Sequence, residues 1–99
     1  MNDFDDDNLK AERAAKQDLL AQRDIDDIQF VMGTVQGRRV VWSVLEKGQV
    51  FGTCFNVEPH ITAFNEGQRN LALALLQRVM AHCPDQYMKM AAEAGEDNL

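Results

Sequence analysis

Apolar residues recur at helical spacing over most of the chain, and polar stretches separate the runs at recognisable start and stop signals. Leu9 to Gln22 is rich in Ala, Leu, Lys, Glu and Gln, all good helix formers, and Glu12 lies one turn before Lys16 in the favourable order. Its apolar stripe of Leu9, Leu19 and Leu20 is thin, so this helix leans on something else. Asp24 has the character of a cap for a second, short helix with Ile25, Ile28, Val31 and Met32, ended by Gly33. Thr34 caps a third helix over Val35 to Lys47, with Gly48 as a left-handed stop and Trp42, Val41, Val44 and Leu45 on its buried side. Phe51, Thr53, Phe55 and Val57 alternate, yet no second strand exists to pair with them, so residues 49–60 are expected to form an extended connection. Thr62 caps the longest helix, 63–82. Its run Leu71-Ala72-Leu73-Ala74-Leu75-Leu76 is apolar on nearly every side and therefore belongs in the centre, with Gly67 permitting a close backbone approach. Pro84 opens a last helix over Asp85 to Ala94.

The fold class expected is all-α: a small single-domain bundle of about five helices around the central apolar helix 63–82. Residues 1–8, with almost no apolar content, read as a disordered acidic terminus, 9–94 as the helical domain and 95–99 as a flexible tail. At 99 residues there is room for one core, and 45% hydrophobic content is ordinary for a chain that folds. Trp42, Phe51, Phe55, Phe64 and Tyr87 are expected inside, because a small domain needs its aromatics there.

Charge changes the picture. The net −6 is uneven. Residues 1–30 hold nine acids against four bases, 31–92 six bases against four acids, and 93–99 three acids alone (Glu93, Glu96, Asp97). A mildly basic body is thus flanked by acidic ends. No stretch approaches the roughly 20 apolar residues of a membrane span, and the acidic N-terminus is unlike a secretory signal, so a soluble chain with reduced Cys54 and Cys83 is expected.

Candidate chemistry is sparse. Arg38 and Arg39 open the third helix, where they oppose its dipole, so something anionic should hold them there. A helix-turn-helix would aim them at nucleic acid, whereas the plainer reading pairs them with Asp24, Asp26, Asp27 or the acidic tail. An overall negative chain argues against specific DNA reading. Glu66 and Arg69, one turn apart beside Asn65 and Asn70, form a polar patch that suits either an interface or a local ion pair. Cys54, His60, His82 and Cys83 have no metal-ligand spacing, and no glycine-rich turn or orienting group accompanies a thiol-imidazole pair. Neither a metal, a cofactor nor a catalytic residue is therefore expected.

One resemblance bears on function. Gly37-Arg38-Arg39 with Trp42 and Leu45, Val50-Phe51 with Thr53 and Phe55, and above all Thr62-Ala63-Phe64-Asn65-Glu66-Gly67 with Arg69-Asn70, then Leu75-Leu76, Cys83-Pro84 and Tyr87, give residues 37–90 a pattern. That pattern resembles a small, uncharacterised domain family of tailed bacteriophages and prophages, named after a protein of a Bordetella podovirus. Gly52 stands where a basic residue is usual in that pattern, and Cys54 where serine is. The resemblance implies a phage-encoded protein made in the host bacterial cytoplasm, from families encoded among head and packaging genes. The expectation is a non-enzymatic protein, either a minor virion component of the head or head-to-tail region or an assembly or packaging factor. Arg38, Arg39, Glu66 and Arg69 would contribute to contacts with phage structural or packaging proteins or with further copies of the chain. The alternative is a small regulator that binds nucleic acid or a host protein through the Arg38-Arg39 helix or the acidic arm.

Overall fold

The computed structural model describes residues 3–53 and 55–98, so Cys54 lies outside the described residues. The described chain is all-helical, with four helices where the sequence predicted five: α1 (Asp3–Met32), α2 (Val35–Lys47), α3 (Pro59–His82) and α4 (Pro84–Asp97). The first two predicted helices are one. No glycine or proline interrupts residues 3–32, and the amide of Gln22 donates to Asp26 across the supposed boundary at 2.9 Å, so Asp24 continues the helix and caps nothing. The backbone is helical back to Asp3, with Asp3, Asp5 and Asp6 in the first turn, where negative charge suits the helix dipole.

α2 has the predicted bounds. The Thr34 hydroxyl accepts from the Gly37 amide at 2.9 Å, satisfying one of the free N–H groups of the first turn. Its stop differs from expectation. Gly48 stays right-handed, and Gln49 takes the positive φ of 57°. Gly48 is needed for space: a Cβ there would lie 2.3 Å from the Ala72 Cβ of α3. α3 starts at Pro59, one turn earlier than predicted, because proline's fixed φ is already helical. The Thr62 hydroxyl turns back to the Asn56 backbone, pinning the end of the connection at 2.8 Å.

Ile28 and Met32 of α1, Val41 and Leu45 of α2, Ala72 and Val79 of α3, Cys83, and Met90 and Ala94 of α4 make up the core. Two methionines among its four largest enclosed side chains suit the irregular space where helices of different lengths meet. The end of α1 is tied to that of α3 by Gln29, which donates to the His82 carbonyl at 3.1 Å, and by Arg78, which donates to the Asp24 carbonyl at 2.8 Å. α3 does not occupy the centre as predicted. Leu71, Phe64 and Met80 face outward, and only Ala72 and Val79 are fully enclosed. In a molecule only 16 Å deep in its shortest dimension there is no inner position for an all-round apolar helix to fill.

The radius of gyration of 19.1 Å far exceeds the roughly 13 Å of a compact 99-residue domain, and the extents are 64 × 36 × 16 Å. Part of that length is α1, whose residues before Ile25 are all exposed and whose 30 residues span about 45 Å.

The glycines give a stability test. A Cβ on Gly37 would sit 1.8 Å from the Val31 carbonyl oxygen, whereas Gly67 faces open space, contrary to the close approach predicted there. Gly37→Ala should therefore cost about 1–3 kcal/mol. Gly67→Ala should gain about 0.5–1 kcal/mol, because alanine is the better residue inside an exposed helix. Denaturation midpoints of the two variants check this opposite pair.

Candidate functional site

Arg38 lies in the first turn of α2 with only 5% of its surface exposed. Its Nε donates to Glu93 Oε1 at 2.5 Å and its Nη2 to Glu93 Oε2 at 3.1 Å, a two-point grip on a carboxylate of α4. Nη1 donates to the Met32 carbonyl at 2.9 Å and to Gln86 Oε1 at 3.3 Å. α1 has no basic residue in its last turn, so Arg38 supplies from the next helix the cation that the carbonyl end of α1 favours. The anion that the sequence required near Arg38 is Glu93, inside the chain. Arg38 is thus engaged internally and is not part of the exposed contact surface to which the sequence assigned it.

The electrostatics agree. The hydrogen bond from Arg38 holds the Glu93 carboxyl below the usual glutamate range against the cost of its partial burial, helped by the charges of Arg38, Lys89 and Arg39. The bond to Glu93 likewise raises Arg38, outweighing the desolvation that opposes it. Burial pushes the Cys83 thiol up, away from the reactive thiolate. Among the described residues no group of three His, Cys, Asp or Glu side chains is placed to hold a metal.

The four sequence-predicted contact residues do not converge. Arg39 is exposed and borders a shallow recess between α2 and α4, beside Trp42, Glu46, Glu93 and Asp97. Arg38 stands about 15 Å along α2 from Gly48, which packs against Ala72 of α3. Glu66 and Arg69 sit near that far end, Glu66 exposed and Arg69 half-buried with its Nε enclosed and without a hydrogen-bond partner among the described residues.

What the sequence did not reveal is the apolar surface. Val40 and Val44 on α2, with Lys47, form an outward stripe at helical spacing, and Phe64, Gln68 and Leu71 form another on α3. Between them runs an open groove lined by Val44, Lys47, Gly48, Gln68, Leu71 and Ala72. Exposure reaches 63% at Val40, 65% at Phe64 and 78% at Leu71. Of the aromatics expected inside, Trp42 and Tyr87 are half-buried, Phe51 is exposed and stacks on Trp42 with centroids 5.0 Å apart, and Phe55 and Phe64 are exposed. Hydropathy alone cannot separate a core face from a second apolar face.

The model of the Bbp19-like phage proteins matches residues 28–92. The chain belongs to this family. The match begins at Ile28, the first buried residue of α1, and takes in most of the packed body of this Bbp19-like protein, up to residue 92 of α4, while leaving the protruding part of α1 outside. Nothing matches it among curated proteins or solved structures. No helix among its described residues is long and apolar enough to cross a membrane.

The Arg38–Glu93 pair makes a pH prediction. A carboxyl whose pKa is lower in the folded than in the unfolded state contributes stability that is present above the unfolded value, about 4.3, and is lost as pH falls through the folded one. Wild-type stability should therefore fall in that acid window. Glu93→Gln should lower stability at neutral pH and flatten the acid slope, while Glu96→Gln, at an exposed position, should do neither. Urea titrations at neutral and acid pH read both effects.

Proposed function

We propose that this Bbp19-like protein works without catalysis, through protein–protein contact, as a minor component of the phage head or head-to-tail region or as an assembly or packaging factor. The observation that carries this reading is the apolar side chains standing outside the core on α1, α2, α3 and the connecting loop, among them Leu19, Phe30, Val40, Phe64, Leu71 and Phe55. Exposed apolar side chains mark interaction sites where they gather, as Val44 and Leu71 do along the α2–α3 groove. Family membership supports the phage setting, and the protein would be made in the host bacterial cytoplasm and either enter the particle or remain behind after assembly. Arg39, Glu66 and Arg69 would add polar contacts to the apolar ones. Arg38 and Glu93 satisfy one another, and burial disfavours the Cys83 thiolate, so none of the three is offered here as a reactive group.

The alternative is a small regulator that binds nucleic acid or a host protein through the Arg38-Arg39 helix or the acidic arm, and its nucleic-acid version rests on the two arginines at the start of α2. With Arg38 turned inward, only Arg39 of that pair is left for a phosphate.

Mass spectrometry of purified particles and of assembly intermediates from infected cells tests the proposal. Peptides of this chain at a fixed ratio to head or tail proteins are the expected result. Absence from both, together with DNA binding that weakens steeply with salt, would overturn it in favour of the regulator.

A further inference from the structure

We propose that the recess between α2 and α4 holds a lysine or arginine side chain from a basic segment of a partner protein. This rests on the reading that the protein works by contact, and gives the chemistry of one such partner.

Charge is the first argument. The ionisable side chains lining the recess are Arg38, Arg39, Glu46, Glu93 and Asp97. Arg38 and Glu93 engage one another, and Arg39 offsets one of the two acids that remain. Neither Glu46 nor Asp97 has an ion-pair partner among the described residues.

Helix ends are the second. Glu46 lies in the last turn of α2 and Asp97 in that of α4, so the carbonyl ends of two helices meet at the recess and add partial negative charge. α4 has no basic residue in its last turn and carries Glu96 and Asp97 there, against its dipole. Such an end favours a cation beside it, as the carbonyl end of α1 favours Arg38. Lys47, the base in the last turn of α2, lines the groove on the α3 side instead.

Shape is the third. Trp42, Met90 and Ala94 give the recess an apolar lining beside these acids. A long aliphatic stem ending in a charge suits that combination, because the stem can lie on the apolar lining while its head reaches the carboxylates. An ammonium or guanidinium is also attracted to an indole face. A phosphate would meet charge of its own sign. A bare metal ion suits the site less, since among the described residues no three ligating side chains gather to hold one.

Trp42 is the chain's single tryptophan, so its fluorescence in the full-length protein reports on the recess. Titration at low salt with an end-blocked tetra-arginine peptide should change that fluorescence saturably. The same peptide with citrulline for arginine, alike in shape and uncharged, should not. Glu46→Gln combined with Asp97→Asn should weaken binding about 10-fold, whereas Asp6→Asn combined with Asp7→Asn, the same change of charge on the arm, should weaken it less than about 3-fold. All four positions are exposed, so both variants keep the fold. No saturable change, equal binding of the citrulline peptide, or equal losses in the two double variants would overturn the site. A chain that ignores the peptide yet is found at a fixed ratio in phage particles would refute the recess alone and leave the contact function standing.

Discussion

The guanidinium of Arg38 is the constraint around which the rest of this small fold is arranged. It is enclosed where α1 ends, α2 begins and α4 passes, and an enclosed charge must be paired or the fold is lost to its desolvation cost. Met32, Gln86 and Glu93 meet that requirement together. A buried ion pair is poor evidence of net stabilisation, since an apolar replacement of the same volume can serve as well. What it does supply is register. Only one placement of α4 against α2 brings both Glu93 oxygens to Nε and Nη2 while the carbonyl end of α1 faces Nη1. Close approach adds a second fix, because Gly37 lets the start of α2 sit against the Val31 carbonyl.

A fold specified this way needs little core, and it has little. The enclosed apolar residues form one thin layer in a molecule only 16 Å deep in its shortest dimension. Apolar side chains that a thicker bundle would enclose are left on the outside of α2 and α3. The same economy explains how a polar node and a contact surface coexist in one short chain: the node orders the body, and the faces it leaves uncovered remain for other molecules. The region matching the Bbp19-like family covers most of that ordered body, ending one residue before Glu93.

Much of the local structure was legible in the sequence. Thr34 announced α2 through its capping chemistry, Lys47 and Gly48 marked its end, and Pro84 announced α4, because caps and breakers act over a turn or two. Asp24 misled for the same local reason. An aspartate with cap character also sits comfortably inside a continuous helix on an exposed face. Gly67 and the apolar run of α3 misled because hydropathy reports how apolar a helix is without saying what covers it. The partner of Arg38 lies 55 residues away in sequence, and no local rule reaches that far. The sequence did require an anion there and offered the acidic tail as one source, which is where Glu93 lies. Arg39 and Glu66 are exposed while Arg69 is half-buried, and their separation into two regions depended on how α2 and α3 cross.

The central claim, that Arg38 and Glu93 act as one unit ordering three helices, is tested most directly by a double-mutant cycle on folding stability using Arg38→Gln and Glu93→Gln. If the claim is right, the double variant is no less stable than the worse single variant, since either change alone already breaks the unit. Losses in the two single variants that simply add in the double variant would contradict it.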